Sequence, residues 1–499
     1  MDHRETTLPG RRRFLRLAAA SGAMAGISGM SLSARGQDAA PLRSLPAPSG
    51  QRVIVVGGGI AGMGAALHLR EAGHEVVLLE KDSEAGGRCR SVHWQGVWAV
   101  TGAFAFLGAE TNLVELAQKL DIYQPDQLLD LTAAHSWNVL VKRKDTVDFG
   151  AFDLMAAARH PYIPLSEKAR LLATIPTLVR QIMAGDPRDI TSAIDLDHVN
   201  ACEYFRDYSP TFVDYYLEPC MGMFCGYGED DYSLGWTAWS SAGRLSWSGN
   251  SMWSYKERGA GRLTWELARY LQADVGTDLR LGQAVAAVHH DPDGVRVELE
   301  DGGSLQGDAV VMAVPGNRVA GLMPGLDTRR RAFFDAIDYA GHHIVYYVLD
   351  RPQGELLDTY VLPAADGFLR TGNLRFTDMG NGTTFAHSQW KDWGCRQHAD
   401  ASEEELLEIA WSDVVDAVPE LAGTRVIDSF IALQPHAICK RPKGFITSLQ
   451  AFHELGPLDR VAFAGDYMVN STVGQSHWSG LQAAEDLIAR FADSARART

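Results

Sequence analysis

The sequence has few cysteines, and their spacing is not that of a metal site. Six cysteines occur in 499 residues, none in a CxxC pair and none in a Cys/His cluster with zinc spacing. We therefore predict no metal ion. Scattered cysteines are most often small buried apolar residues, although an oxidising compartment would permit a disulfide bond between Cys220 and Cys225.

Basic residues are also scarce relative to acidic ones. The chain has 46 Lys and Arg against 62 Asp and Glu, and its formal net charge is -16. Because nucleic-acid binding needs a basic surface, this balance argues against a nucleic-acid partner. Internal repeats and low-complexity tracts are absent too. With 46% apolar residues, the chain can bury large cores in two or more domains, or in one composite domain.

The first 36 residues contain the pattern of an export signal. Residues 10–16, GRRRFLR, resemble the twin-arginine motif, and a weakly apolar stretch rich in Ala, Gly and Ser follows. A permanent membrane helix needs about 20 strongly apolar residues, so we favour a removed or loosely attached signal. The alternatives are a basic disordered terminus and an organelle transit peptide. We expect export to the periplasm by the twin-arginine machinery, and a proline-containing linker at 37–50.

A nucleotide-binding pattern follows this linker. Residues 52–56 form a short β-branched run that ends in GGGIAG, residues 57–62, and a helical pattern comes next. In such a unit the first glycine permits the turn, the second lets backbone N–H groups approach a pyrophosphate, and the third lets the helix pack closely on the strand. A second buried strand ends at Glu80, which is placed to accept hydrogen bonds from an adenosine ribose. We assign to the dinucleotide Gly57, Gly59, Ile60, Ala61, Gly62, Glu80 and Lys81.

The next segment indicates that the dinucleotide is FAD. Residues 84–91, EAGGRCRS, place a glycine doublet and an arginine just after Glu80, where an extended dinucleotide continues from pyrophosphate towards flavin. The doublet, Gly86 and Gly87, gives the backbone room. Arg88 can donate charge-assisted hydrogen bonds to phosphate or ribityl oxygens.

A third segment near the carboxyl terminus is typical of the flavin end of such a site. A buried strand at 461–464 ends in Gly465 and Asp466, and a predicted helix starts near Gly474. Asp466 could hold a ribityl hydroxyl. The helix start, with Gln475 and Ser476, would direct N–H groups at the flavin edge where negative charge gathers on reduction.

Together these segments resemble the flavin-containing amine oxidoreductase superfamily, which includes amine and amino-acid oxidases, protoporphyrinogen oxidases and phytoene-type desaturases. The motifs that carry the resemblance are GGGIAG with Glu80, EAGGRCRS, and FAGDY with VGQSHWSG. The resemblance implies FAD as cofactor and a contact between the backbone at Val285 and the adenine. It also implies an α/β fold, in which a Rossmann-like FAD-binding domain carries an inserted α+β substrate domain, as in amine oxidases.

Two long stretches without these signals separate the FAD motifs along the chain. The predicted domain boundaries are placed at the ends of these stretches. Residues 1–36 are the signal peptide and 37–50 the linker. The FAD-binding domain comprises 51–109, 259–318 and 441–499, and the substrate domain comprises 110–258 and 319–440.

The middle of the chain gives weaker indications about the substrate. Residues 221–253 are rich in Met and aromatic side chains that could wall an apolar pocket, although such residues more often form core. These residues are Met221, Met223, Phe224, Tyr227, Trp236, Trp239, Trp247 and Trp253.

Two departures from the family weaken the case for a simple monoamine substrate. Amine-oxidising members often have a lysine near flavin N5, and here His343, or His342, stands at that place. A histidine, with an ordinary pKa of about 6.5, could position water or act as a base, and His343 is our candidate for the catalytic role. The alternative is a structural histidine whose hydrogen bonds are satisfied within the fold, as strand histidines more often are. Cys439 stands where many relatives have a proline or an aromatic residue, and a covalent bond from Cys439 to flavin is the less favoured alternative to an ordinary core residue.

These observations predict an exported FAD-dependent oxidoreductase, similar to amine oxidases, that transfers a hydride from a substrate C–H bond to flavin N5. Its partners would be a small-molecule substrate, either apolar or an amine, and an electron acceptor, either oxygen or another molecule. One alternative is an FAD-dependent desaturase or isomerase acting on an isoprenoid or porphyrinogen-like substrate. A second is a non-enzymatic flavoprotein-like partner.

Overall fold

The computed structural model describes residues 45, 47–48, 50–108, 110–131, 137–148, 156–186, 188–228, 232–245 and 252–498. The expected signal peptide and most of the expected linker lie outside the described residues.

The strands, in chain order, are β1 Arg52–Val56, β2 Glu75–Leu79, β3 Ser91–Trp94, β4 Val97–Val100, β5 Phe106–Leu107, β6 Leu128–Asp130, β7 Asn138–Val141, β8 Asp145–Asp148, β9 Met252–Tyr255, β10 Asp278–Arg280, β11 Val285–Asp291, β12 Gly294–Leu299, β13 Ser304–Gly307, β14 Ala309–Met312, β15 Tyr339–Ala340, β16 Ile344–Leu349, β17 Thr359–Val361, β18 Thr371–Asp378, β19 Thr384–Trp390, β20 Val426–Ala432, β21 Ile438–Cys439 and β22 Val461–Phe463.

The α-helices are α1 Ile60–Glu71, α2 Thr111–Lys119, α3 Ala156–Arg159, α4 Leu165–Leu171, α5 Ile175–Ala184, α6 Ala201–Tyr208, α7 Pro210–Phe212, α8 Glu218–Cys225, α9 Leu234–Leu245, α10 Gly261–Ala273, α11 Gly316–Leu322, α12 Thr328–Asp335, α13 Asp392–Gln397, α14 Glu403–Ala417, α15 Phe445–His453 and α16 Val473–Arg498. A π-helical segment, Val213–Leu217, joins α7 to α8.

A five-stranded parallel sheet forms the centre of the nucleotide-binding part, in the order β10-β2-β1-β14-β22. Its strands come from the three segments that the sequence assigns to FAD binding. The central strands consist of Val, Ile, Leu and similar residues that are buried on both faces, as a parallel sheet requires. Helices α1, α10 and α16 cover one face, and the β11-β12-β13 sheet packs with α12 and α15 on the other.

A seven-stranded sheet forms the centre of the second part, in the order β20-β16-β19-β18-β17-β7-β8. Apart from the parallel pair β17 and β7, neighbouring strands are antiparallel. Because side chains alternate along a strand, one face packs apolar residues on α14, and the other faces the nucleotide-binding part. The architecture is the α/β class that the sequence predicts. The exact domain boundaries stay a prediction.

No helix in the described part of the chain combines the length and the apolar character needed to cross a membrane.

Candidate functional site

A large cavity of about 1000 Å³ is lined by residues from both central sheets and their connections. The three sequence motifs meet there, although they are far apart in the chain. The predicted cofactor residues that line it are Gly57, Gly59, Ile60, Ala61, Glu80, Lys81, Gly86, Gly87, Arg88, Val285, Gly465, Asp466 and Ser476. The remaining predicted site residues, Gly62, Gln475 and His343, do not line it.

The turn between β1 and α1 has the shape of a phosphate cradle. Gly57 has φ +110°, a conformation that L side chains rarely adopt. A Cβ placed on Gly59 would meet no protein atom within 4 Å, so the cavity lies directly against this stretch of backbone. A Cβ on Gly62 would instead collide with the carbonyl of Gly57, because the helix starts close to the strand. The observed turn therefore fits the pyrophosphate of a dinucleotide at the amino end of α1.

Glu80 is held at the end of β2 by backbone hydrogen bonds. Its Oε2 accepts a hydrogen bond from Gly58 N at 2.8 Å, and its Oε1 accepts one from Asp82 N at 2.9 Å. The residue is 7% exposed and lines the cavity. Since each carboxylate oxygen has two acceptor positions, both oxygens can still accept from ribose hydroxyls.

Arg88 and Asp466 form a bidentate ion pair in the wall of the cavity, with two N–O distances of 2.8 Å. Tyr339 Oη and Ser471 Oγ also donate to the carboxylate, at 3.0 and 2.9 Å. Burial alone would raise the pKa of Asp466, but the charge and the hydrogen bonds of Arg88 lower it to about 2. The pair therefore stays ionised at neutral pH and fixes two predicted cofactor ligands relative to each other.

The start of α16 is capped by Glu110, a residue that our sequence reasoning missed. Glu110 Oε1 accepts a hydrogen bond from Gly474 N at 2.9 Å, and Oε2 accepts one from Leu107 N at 3.0 Å. Burial raises the pKa of Glu110, and these hydrogen bonds oppose that rise. Glu110 lines the cavity beside the helix end that we expect at the flavin. The sequence offers no signal for it, since an acid before a helix is an ordinary surface pattern.

The two neighbouring histidines face different surroundings. His343 Nδ1 accepts a hydrogen bond from Gln434 N at 3.1 Å, and its ring packs against that of Trp390 with 6.2 Å between centroids. His342 lines the cavity, and its Nδ1 is buried without a hydrogen-bond partner in the described residues. Burial lowers the pKa of His342 to about 4, so its ring is neutral at pH 7. Successive residues of an extended chain point to opposite sides, so only one of the two can reach the cavity.

Cys439 is 1% exposed and does not line the cavity, whereas its neighbours Ala437 and Ile438 do. Burial raises the pKa of its thiol to about 12. A buried, protonated thiol is a poor nucleophile, so the structure gives no support to a covalent bond between Cys439 and flavin.

The aromatic-rich segment contributes less to the cavity than its composition suggests. Phe224 and Trp236 line the cavity. Met221, Met223, Tyr227, Trp239 and Trp253 belong to hydrophobic cores, and Trp247 lies outside the described residues.

All six cysteines lie in the described residues, and the structure contains no disulfide bond between Cys220 and Cys225. In the part of the chain that the structure describes, no cluster of three or more His, Cys, Asp or Glu side chains could hold a metal ion.

Comparison with known proteins gives a family match over most of the chain. Residues 60–488 match the model of the family described as flavin containing amine oxidoreductase. Among curated proteins, the chain is 40% identical over 90 residues to 15-cis-phytoene desaturase of Narcissus pseudonarcissus, which is 17% of this chain and 15% of the relative. It is 36% identical over 83 residues to protoporphyrinogen oxidase 2 of Arabidopsis thaliana, covering 17% and 16%. The chain thus spans about one sixth of the length of these curated relatives.

Solved structures show the same fold over nearly the whole molecule. Cyclohexylamine oxidase from Brevibacterium oxydans IH-35A superposes with a TM-score of 0.67 at 16% sequence identity, over 89% of this chain and 100% of that chain. This likeness confirms the expected fold class.

Proposed function

Because the chain belongs to the family of flavin-containing amine oxidoreductases, and its cofactor is accordingly FAD, we propose that it oxidises a small-molecule substrate by removing a hydride from a C–H bond. One observation carries this proposal. Gly59, Arg88 and Asp466, from three distant segments, line a single cavity that also reaches the seven-stranded sheet. Such a cavity can hold a dinucleotide at one end and a substrate at the other.

The hydrogen-bonding groups that line the cavity indicate which residue would contact which part of FAD. Glu80 would accept from the ribose, the backbone around Gly59 would donate to the pyrophosphate, and Arg88 with Asp466 would contact the chain towards the flavin. When bound, FAD supplies the two-electron acceptor of the reaction. The protein's own task is to align the substrate and to keep water away from it.

The end of the cavity near the seven-stranded sheet combines apolar walls with the neutral His342. Phe104, Phe224, Met252 and Ile344 line it, so much of a bound molecule would lie against apolar surface. His342 lines the cavity, and its Nδ1, which is unpartnered among the described residues, can hold a water molecule or accept a hydrogen bond from the substrate. We therefore transfer the role predicted for His343 to His342.

A desaturase or isomerase acting on an isoprenoid or porphyrinogen-like molecule is the second candidate function. Two observations favour it: the apolar walls just described and the partial similarity to a phytoene desaturase and a protoporphyrinogen oxidase. In this case too, the chain's residues would orient an apolar substrate beside FAD.

Anaerobic reduction of the purified protein tests the proposal. We expect yellow protein with flavin absorbance near about 450 nm, and bleaching of that band by a true substrate from a panel of amines, carboxylic acids and apolar alkenes. Rapid bleaching by amines supports oxidation of amines, and bleaching by alkenes alone supports the desaturase. Colourless protein that FAD does not reconstitute would overturn the whole assignment. Yellow protein that no compound bleaches would favour an isomerase or a non-enzymatic partner.

We further propose that the chain is exported by the twin-arginine machinery. The support is the motif at residues 10–16 and the cofactor, since this route is expected to carry proteins that have already folded. Replacing Arg11, Arg12 and Arg13 by lysine should leave the FAD-loaded protein in the cytoplasm, as fractionation would show. Unchanged periplasmic yield would contradict this route.

A further inference from the structure

Helices α4 and α5 expose a cluster of large apolar side chains. Among the described residues, eleven large apolar side chains are exposed, and five of them belong to this short helical segment. Single apolar residues scattered over a surface are ordinary, but a cluster of them marks an interaction surface. We call these five residues the apolar stripe: Leu165, Leu172, Ile175, Val179 and Met183.

The stripe follows one side of the segment. Its last four members are separated by three, four and four residues, which is the spacing that places side chains on one side of a helix. A 3₁₀ turn, Leu172–Thr174, joins α4 to α5, so the stripe continues from one helix to the next. Leu165 is 82% exposed and Leu172 is 64% exposed, so these side chains stand well clear of the protein.

The inward side of α5 is no more apolar than its outward side. Gln181 is the buried side chain of α5, and its Nε2 donates a hydrogen bond to Ser192 O at 3.2 Å. Leu178, one turn before Gln181, is partly buried against the main core. A helix with apolar residues on both sides is normally covered on both sides, either by protein or by lipid. We therefore expect the stripe to be covered when the protein is at work.

The charge around the stripe is opposite to that of the whole chain. Residues 156–188 contain five Lys and Arg against two Asp and Glu, although the formal net charge of the chain is -16. Arg170 and Arg180 are exposed, and Arg180 lies one helical turn from Met183 of the stripe. Basic side chains beside an exposed apolar stripe match the interface of a bilayer that contains anionic headgroups.

A second copy of the chain fits this surface less well. A dimer with two-fold symmetry places the same surface on both sides of its contact. The exposed arginines beside the stripe would then face arginines of the same surface, and like charges repel. A bilayer instead offers acyl chains to the stripe and phosphates to the arginines at the same time.

We propose that α4 and α5 dock the protein on an anionic phospholipid bilayer. The stripe lies at the boundary between headgroups and acyl chains, and Arg170 and Arg180 contact headgroup phosphates.

The docking surface lies close to the large cavity. Helix α5 packs against α9, where Trp239 Nε1 donates to Asp186 O at 2.7 Å just after the end of α5. Trp236 and Ser240 of the same helix α9 line the large cavity. Docking would therefore bring the cavity near any apolar substrate that is dissolved in the bilayer. This consequence rests on the proposed function, whereas the docking itself does not.

Co-sedimentation of the FAD-loaded protein with vesicles tests the proposal. Vesicles of phosphatidylcholine and phosphatidylglycerol in equal parts are compared with vesicles of phosphatidylcholine alone. We expect the wild type to bind the anionic vesicles about 10-fold more tightly than the neutral ones. A double variant, Leu172→Ser with Val179→Ser, should bind the anionic vesicles about 10-fold more weakly than the wild type, because two apolar side chains no longer enter the interface.

Matched variants separate the stripe and its charge from general surface effects. Leu281→Ser with Ile427→Ser changes two exposed apolar residues elsewhere in the fold and should bind as the wild type. Arg180→Glu should weaken binding to anionic vesicles about 10-fold without changing binding to neutral ones, and Arg180→Lys should bind as the wild type. Because every altered side chain is exposed, melting temperature and FAD content should not change. All variants keep the same amino terminus, so it cannot cause a difference between them.

The outcomes distinguish the bilayer from other occupants of the stripe. Equal binding of the wild type and the Leu172→Ser, Val179→Ser variant would overturn the proposal. A wild type that stays in the supernatant with both kinds of vesicle would also overturn it. Light scattering would then assign the stripe to a second copy if the wild type is a dimer and the variant a monomer, and to another protein if both are monomers. Colourless protein that still binds vesicles through the stripe would contradict the proposed function alone.

Discussion

Two glycines only three residues apart have different tasks in the turn before α1. A Cβ on Gly59 would point into open space beside the cavity, whereas a Cβ on Gly62 would collide with the Gly57 carbonyl. Gly59→Ala should therefore fold but lose FAD, because the added methyl group occupies the space of the pyrophosphate. We expect about a 100-fold weaker affinity, measured by FAD release during dialysis and by the ratio of flavin to protein absorbance.

The matched variant, Gly62→Ala, should fail in a different way. The added methyl group would push the start of α1 away from β1. Both the apo form and the FAD-loaded form should therefore melt at lower temperatures, or the protein should fail to accumulate. Equal FAD retention in Gly59→Ala and the wild type would show that the pyrophosphate does not lie against this turn.

The adjacent histidines provide a second comparison at the scale of single residues. His342 lines the cavity, and His343 packs against Trp390 and accepts from the backbone. His342→Ala should slow anaerobic flavin reduction about 100-fold, within the range for loss of one acid-base or water-positioning group, with little loss of stability. His343→Ala should instead lower the melting temperature and leave the reduction rate of the folded fraction within a few-fold. The opposite pattern would return the catalytic assignment to His343.

At the scale of single elements, the charge at the amino end of α16 depends on Glu110, a residue from a distant part of the chain. The amino end of α16 carries the partial positive charge of the helix dipole, and the Glu110 carboxylate is hydrogen-bonded to it at Gly474 N. A negative charge beside FAD opposes the gain of electrons. Glu110→Gln should therefore raise the flavin midpoint potential at pH 8 by on the order of 30 mV, which corresponds to ~1.4 kcal/mol for a two-electron couple.

Reductive titration against a reference dye measures this change. Glu115→Gln is the control, because Glu115 lies on the exposed side of α2. Equal potentials for all three proteins would mean that Glu110 is neutral in the folded state or lies away from the flavin.

The elements differ in how far the sequence could predict them. The parallel strands and the Gly57–Gly62 turn are local patterns, because a buried β-branched run followed by glycines has one common structure. The seven-stranded sheet depends on pairing between strands that are distant in the sequence, such as β7 and β17. No local sequence pattern specifies such a pairing. Whether His342 or His343 reaches the cavity depends on the register of β16, which begins at Ile344, and a shift of one residue reverses the two directions.

At the scale of the whole molecule, four buried histidines make the fold sensitive to acid. Burial is the first cause that lowers the pKa of His160, His342, His343 and His477, each to about 4. In the unfolded chain a histidine has a pKa of about 6.5. Between these values the unfolded state binds more protons than the folded state, so stability is full above pH 6.5 and falls as the pH drops towards 4. Glu110, whose pKa burial raises, acts in the opposite direction but is a single group.

We therefore expect the free energy of unfolding of the FAD-loaded protein to fall by several kcal/mol between pH 6.5 and 4.5, at up to ~1.4 kcal/mol per histidine for each pH unit. Urea unfolding at one-unit pH intervals measures this slope. His160→Phe is the informative variant, because both ring nitrogens of His160 lack hydrogen-bond partners among the described residues and its ring does not line the large cavity. Its slope should be smaller by the contribution of one proton. A free energy of unfolding that is constant over this range would contradict the argument, because it would require these histidines to be protonated inside the fold.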